Sequence, residues 1–406
     1  MPEAVIVSAA RSPIGRAGKG SLVSIRPDDL AVQMVRAALD KVPALDPTQI
    51  DDLIMGCGLP GGEQGYNIGR VVSVLLGFDH LPGCTVTRYC ASSLQSTRMA
   101  FHAIKAGEGD VFISAGVETV SRFAKGSSDG LPDTKNPLFA AAEARTAATA
   151  EHSGGQWHDP RQDGDVPDVY IAMGQTAENL ALAKDVSREE MDEFGVRSQN
   201  LAEKAIADGF WQREITPVTL PDGTVVSADD GPRAGVTLEK TATLKPVFRP
   251  DGRVTAGNCC PLNDGAAALV VMSDTKAKEL GLTPLARIVA TGVSGLSPEI
   301  MGLGPVEASR KALAKAGLSI SDIDLVEINE AFAAQVIPSY KDLGIPLEKL
   351  NVNGGAIAVG HPFGMTGARI ATTLINSLQF HDKQFGLETM CVGGGQGMAM
   401  ILERLS

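Results

Sequence analysis

No stretch of about 18 consecutive apolar residues occurs in the 406-residue chain, so no membrane-spanning helix is expected. Its opening, MPEAVIVSAARSPIGR, runs straight into a strand-like segment and lacks the basic region and cleavage site of a secretory signal. A soluble, cytoplasmic protein is the expectation. Lysine and arginine form no dense run and the formal net charge is −12, which argues against a nucleic-acid surface and leaves any anionic ligand to local groups. Cysteine is scarce. The six, at 57, 84, 90, 259, 260 and 391, are too few for a disulfide scaffold and include no CxxC pair of zinc spacing, so reduced thiols and no metal are expected. No Gly-Lys-Ser/Thr completes a P-loop, and no GxGxxG opens a helix in the Rossmann manner. What is present is 44% hydrophobic residues, enough for a large core in two or three domains of about 150 residues each.

Self-similarity organises the chain. AVIVSAARSPIG (strand and turn), PDDLAVQMVRAAL (helix), IDDLIMGCG (buried strand), the turn and helix after Cys90, and DVFISAGVE (strand) follow one another. The same order returns as LARIVATGVSG, GPVEASRKALAKAG, DIDLVEINEAF, GGAIAVGHPFGMTGARIATTLINSL and LETMCVGGG. The copies differ in one place. TMCVGGG turns at once into QGMAMILERL, whereas the matching DGAAALVVMSD lies on the order of 150 residues beyond FISAGVE, about one domain's worth. An insertion is expected there, polar and rich in Gly, Pro and Asp to about residue 168, then helical from a capping box at Ser187 and Glu190. The expected division is an N-terminal core, 1–117 plus 254–283, an insert, 118–253, and a C-terminal core, 284–406, in a largely parallel α/β architecture covered on both faces.

Four motifs carry chemistry. In RYCASSLQSTRMA the helix begins just after Cys90, so free N–H groups and the positive dipole end face the sulfur and are expected to lower its pKa. Such a cysteine is read either as a nucleophile or as a buried small hydrophobe, the commoner fate of a free thiol. GGAIAVGHPFGMTGAR sets His361 in the equivalent turn of the second copy, where it could serve Cys90 as a base. EINEAFA places Asn329 and Glu330 at the end of an apolar strand, beside a cleft, with a helix cap by Asn329 as the plain alternative. MCVGGGQG follows Cys391 with three glycines whose N–H groups suit an oxyanion.

In this order and over nearly the whole chain, Cys90, NEAF, GHPFGMTGAR and CVGGGQG resemble the thiolases, the family of acetyl-CoA acetyltransferases and 3-ketoacyl-CoA thiolases. The resemblance implies a five-layered αβαβα duplicated core with an inserted loop domain, assembled as dimers or dimers of dimers. It implies reversible, ping-pong cleavage of 3-ketoacyl-CoA, or the reverse Claisen condensation, through an acyl-cysteine, with coenzyme A as substrate and no cofactor. Carried over by motif, Cys90 is the acylated nucleophile, His361 its activating histidine, Cys391 the acid/base at the substrate α-carbon and Asn329 the holder of a catalytic water. The N–H groups of Cys90 and Gly393 would form one oxyanion hole, and His361 with the Asn329-bound water the other. Coenzyme A is expected on the insert, with Met173, Cys260, Met301 and Phe332 lining the pocket or serving as ordinary core, and Arg233 near the nucleotide end.

The chain departs from the family pattern at Thr87, usually asparagine, at Ser93, usually glycine, and at Cys260, usually serine. Ala172 stands where acetoacetyl-specific relatives carry histidine. These changes bear on pocket lining and acyl length. Two rivals remain: a ketosynthase-type condensing enzyme, against which Cys391 speaks, and a non-catalytic acyl-CoA-binding subunit of a fatty-acid oxidation complex. A partner subunit of such a complex is left open.

Overall fold

Each copy folds into the same pattern of strand pairing. In the computed structural model, which describes residues 2–125, 132–151 and 156–406, strand Ala4–Arg11 pairs antiparallel with Asn263–Ser273, which pairs antiparallel with Val111–Thr119. Val111–Thr119 then runs parallel to Asp52–Cys57, and that strand parallel to Gly83–Val86. In the second half Ala286–Gly295 pairs antiparallel with Gln396–Arg404, which pairs antiparallel with Phe385–Val392, itself parallel to Leu325–Ile328. The fifth position is reduced to a single parallel bridge from Val326 to Leu350. Two residue pairs, Val5 with Arg287 and Ile6 with Ala286, join the halves into one ten-stranded sheet.

Strand alternation sorts the core into layers, because successive side chains leave opposite faces of a sheet. Ala266, Ala268, Val270 and Met272 pack outward with Leu30, Met34 and Val35 of helix Pro27–Asp40. Their neighbours Ala267, Leu269 and Val271 pack inward with Leu94 and Ala100 of helix Ser92–Ala106 and with Ala368 and Leu374 of helix Thr366–Phe380. In the other half Met398, Met400 and Leu402 face the same central helices, whereas Ala399 and Ile401 face Ala308 and Ala312 of helix Gly304–Ala316 and Val336 of helix Ala333–Leu343. The order is therefore helix, sheet, helix, sheet, helix, the five layers the resemblance implies. Burial on both faces explains why these strands read as continuous apolar runs. Each buried large aliphatic side chain contributes roughly 1.5–3 kcal/mol.

The segment between the halves departs from its expected description in two respects. The stretch before residue 168 contains a helix, Ala140–Glu151, whose alanines favour helix while burying little. Ser187 does cap helix Arg188–Ala207, its side chain accepting the Glu190 N–H at 3.1 Å. The reciprocal half of the capping box is replaced, since the Glu190 carboxylate is paired with Lys341.

Candidate active site

The two central helices bring their N-termini together, and small residues permit it. A Cβ on Gly367 would lie 2.2 Å from the backbone nitrogen of Leu94, and one on Gly56 would lie 2.3 Å from that of Ser93. Ser93, buried, uses its hydroxyl to accept the Ala368 N–H of the other half's helix at 2.9 Å. The residue flagged as a pocket departure is thus a cap across the duplication. Thr87 is similarly structural, its hydroxyl donating to Gly58 O at 2.8 Å.

Cys90 lies in a 3-10 turn, Tyr89–Ala91, between the end of strand Gly83–Val86 and the helix. Tyr89 has φ 42°, a left-handed conformation that an aromatic residue rarely adopts and that turns the chain sharply. The turn is laced by Ser92, whose hydroxyl accepts the Arg88 N–H at 2.9 Å and donates to Tyr89 O at 2.7 Å. Burial pushes the Cys90 thiol up to about 11, against the opposing pull of the Gly393 N–H and of its own N–H, and the Glu118 charge raises it further. The helix N-terminus was expected to lower this pKa. In the unliganded protein desolvation outweighs it.

His361 is 1% exposed, and its tautomer can be read from its neighbours. Thr366 Oγ1 donates to Pro362 O at 2.6 Å, so its lone pair accepts from His361 Nδ1 at 2.6 Å. The Nδ1 proton is thereby fixed and Nε2 keeps its lone pair. Burial, and then the Arg369 charge, hold the imidazole pKa down to about 3. Asn329 Nδ2 stands 3.3 Å from His361 Nε2, and Asn329 Oδ1 is buried without a partner among the described residues, the position of a group that would bind water. Asn329 caps no helix, for the N-cap of Ala333–Leu343 is Phe332.

Cys391 is buried near the end of strand Phe385–Val392, and its thiol is held well above the ordinary range by burial and next by the Cys90 charge. The Cys260 thiol is raised in the same way, by burial and then by the charges of Cys259, Cys90 and Cys391. Three thiols therefore interact at one place. Cys391, Met301 and Phe332 form one apolar cluster against which Met173 and Cys260 pack. Met173 Sδ would lie 3.7 Å, and the Tyr89 ring 3.3 Å, from a Cβ on Gly393, so both flank the loop whose N–H reaches Cys90. Arg233 is not part of this grouping. It is exposed, and its backbone N–H donates to Gln199 Oε1 at 2.9 Å.

Two buried carboxylates hold the site. Glu330, expected beside a cleft, instead points into the interior, accepting from Ser198 Oγ at 2.6 Å, Asn351 Nδ2 at 2.8 Å and the Ile357 N–H at 3.1 Å. It fastens the insert's long helix to the loop preceding His361. Glu118, which sequence reasoning passed over, accepts from the N–H groups of Gly58 at 2.7 Å and Gly364 at 2.8 Å and from Gln64 Nε2 at 2.7 Å. It ties the wall beside Cys90 to the His361 loop. A lone acidic residue ending the apolar run VFISAGVET was the available signal.

A buried thiol, a neutral imidazole with a free Nε2, a second thiol and two converging N–H groups define a class: a cysteine-based acyl-transfer enzyme built on a duplicated five-layer core. The family models "Thiolase, N-terminal domain" and "Thiolase, C-terminal domain" match residues 4–275 and 282–404. The 3-ketoacyl-CoA thiolase of Bacillus subtilis (strain 168) is 42% identical over 416 residues, covering 99% of this chain and 100% of its own. The 3-oxoadipyl-CoA/3-oxo-5,6-dehydrosuberyl-CoA thiolase of Escherichia coli (strain K12) is 43% identical over 418 residues, with both chains covered in full at 100%. Among solved structures, the Bacillus anthracis acetyl-CoA acetyltransferase superposes with TM-score 0.85 at 40% identity, covering 100% of this chain and 99% of that one. Human mitochondrial 3-ketoacyl-CoA thiolase gives 0.83 at 35% identity, with 99% of each chain covered.

The chain belongs to the thiolase family. It is an acyltransferase of coenzyme A-dependent thiolytic cleavage and condensation. The ketosynthase alternative is set aside. No described helix is long and apolar enough to cross a membrane.

Proposed function

We propose that this enzyme cleaves 3-ketoacyl-CoA to acetyl-CoA and a shortened acyl-CoA, and runs the reverse condensation, with Cys90, His361, Cys391, Asn329 and Gly393 as its working set. The observation that carries the reading is the Cys90 sulfur under the Gly393 N–H, electrostatically coupled to the Cys391 thiol. Cys90 gives its proton to His361 Nε2 as its sulfur attacks the ketone carbon. The N–H groups of Cys90 and Gly393 receive the tetrahedral oxyanion, a kind of contact whose loss typically costs about 3 kcal/mol. The C2–C3 bond then breaks, leaving acyl-Cys90 and the enolate of acetyl-CoA. The enolate oxygen is held by His361 and a water on Asn329, and C2 takes the Cys391 proton. A new coenzyme A thiol gives its proton to Cys391, attacks the acyl carbon and releases acyl-CoA, while His361 returns its proton to Cys90.

The insert, 118–253, is proposed to cover coenzyme A, with Met173, Cys260, Met301 and Phe332 against the acyl and pantetheine portion and the exposed Arg233 near the nucleotide. A cytoplasmic homodimer or homotetramer is proposed as the working form, and a pull-down tests for a fatty-acid oxidation partner. The deciding assay combines thiolysis across 3-ketoacyl-CoA chain lengths with mass spectrometry of the trapped acyl-enzyme. Acyl mass on the Cys90 peptide is expected; acyl mass on another cysteine would overturn the assignment.

A further inference from the structure

Two carboxyl groups inside the C-terminal half take no part in the steps above. Parallel pairing sets Glu327 directly beside Glu388, on strands about 4.8 Å apart. Alternation turns both toward the central helices: Met390 and Val392, on the Glu388 side of their strand, join the central cluster, whereas Leu387 and Cys391 join the outer one. Arg369, on helix Thr366–Phe380, belongs to the same interior, and the relative exposures of Glu327, Glu388 and Arg369 are 3%, 0% and 1%. Neither Glu388 oxygen and none of the Arg369 side-chain nitrogens has a hydrogen-bond partner among the described residues. Native interiors do not leave such groups unsatisfied, so this cluster calls for bridging water.

The surrounding charges are already engaged. Arg11 pairs with Glu214 at 2.7 Å and Asp229 at 2.5 Å, Glu330 is bonded to Ser198 and Asn351, and Arg197 donates to the carbonyls of Leu347 and Leu350. The task of offsetting Arg369 falls to Glu327 and Glu388. Adjacent buried carboxyls cannot readily both ionise. Burial pushes Glu327 up to about 8, opposed by the Arg369 charge, and pushes Glu388 well above the usual range. Arg369 also disfavours the imidazolium form of His361.

We infer that Glu327 and Glu388 share one proton, that the remaining negative charge neutralises Arg369, and that this buried cluster sets how readily His361 accepts the Cys90 proton. The inference rests on the role proposed for His361, and the three residues act through it as positioning residues. The test is the pH dependence of Cys90 alkylation by iodoacetamide in the full chain, compared for Glu327→Gln, Glu388→Gln, the double variant and a His361→Ala control. Either single change is expected to leave the rate at pH 7 within about twofold, because the remaining carboxyl takes the charge, while the double variant slows it about tenfold and moves the midpoint up by about one pH unit. A folded double variant with an unshifted midpoint would overturn the inference, as would one single variant that reproduces the double. Infrared spectra supply the independent measurement if the double variant does not fold: a protonated-carboxyl band in the unmodified protein at neutral pH, lost in each single variant, is expected, and its absence refutes the shared proton. If His361→Ala alkylates like the unmodified protein, the role of His361 fails, and the infrared band still decides whether the proton is shared.

Discussion

At the residue scale the two catalytic thiols are distinguished by their surroundings. Cys90 has the Gly393 N–H at its sulfur, whereas Cys391 is raised by burial and by the Cys90 charge, with only its own N–H opposing. Iodoacetamide at neutral pH is therefore expected to label Cys90 ahead of Cys57 and Cys84, with acyl-CoA protecting it; peptide mapping reads the order, and prior labelling of Cys57 would contradict it. If Cys391 only moves protons at the α-carbon, Cys391→Ala keeps acyl exchange between thioesters and loses carbon–carbon bond making and breaking. Cys90→Ala loses both, as isotope exchange between labelled coenzyme A and acyl-CoA would show. Thr366 is a third case, because it fixes the tautomer that leaves Nε2 free. A hydrogen bond to a charging imidazole contributes roughly 1.5–3 kcal/mol. Thr366→Val is thus expected to lower kcat about tenfold or more at nearly unchanged KM; an unaltered kcat would show that the imidazole is held without it.

At the element scale the duplication is more than a repetition of strands, for each copy completes the other. Ser93 of one central helix caps the Ala368 N–H of the other, and Glu118 of one half holds the Gly364 N–H of the other. Loss of the Ser93 hydroxyl removes an interior cap worth about 1 kcal/mol. Ser93→Ala should lower the denaturation midpoint accordingly, and a midpoint unchanged in both urea and heat would mean that another acceptor replaces it. These contacts also mark where sequence reasoning stops. Strand periodicity and repeat order exposed the two copies, the turn before each central helix and the positions of Cys90, His361 and Cys391, because those signals are local. Ser93 was read as pocket lining and Glu330 as a cleft residue because a polar side chain in a string of letters carries no direction. The Cys90 pKa was misjudged for a related reason: the helix end is visible locally, but the burial that overrides it is made by the packed whole.

At the scale of the whole molecule, the insert and the C-terminal half together wall the space in front of Cys90, and this wall sets acyl length. Met173, first residue of helix Met173–Ala183, reaches the Gly393 loop. Phe248 packs so closely behind it that a Cβ on Gly174 would lie 2.2 Å from its ring, and Phe248 meets Phe332 edge-on at a centroid distance of 6.1 Å. Ala172 precedes Met173 at the helix N-cap, exposed and without a side-chain cap, so this corner carries only a methyl group. A histidine there would add an imidazole next to the Met173 wall. Each buried methylene contributes about 0.8 kcal/mol, so two carbons lodged in that space favour binding by roughly tenfold. A six- or eight-carbon 3-ketoacyl-CoA is accordingly expected to match or exceed acetoacetyl-CoA in kcat/KM. Ala172→His should reduce kcat/KM for the longer substrates while sparing acetoacetyl-CoA. Steady-state thiolysis on both proteins separates the outcomes: activity confined to acetoacetyl-CoA in the unmodified enzyme would mean that Met173, Phe248 and Phe332 already close the pocket, and equal losses on all chain lengths would mean that residue 172 acts on the helix start and not on the acyl chain.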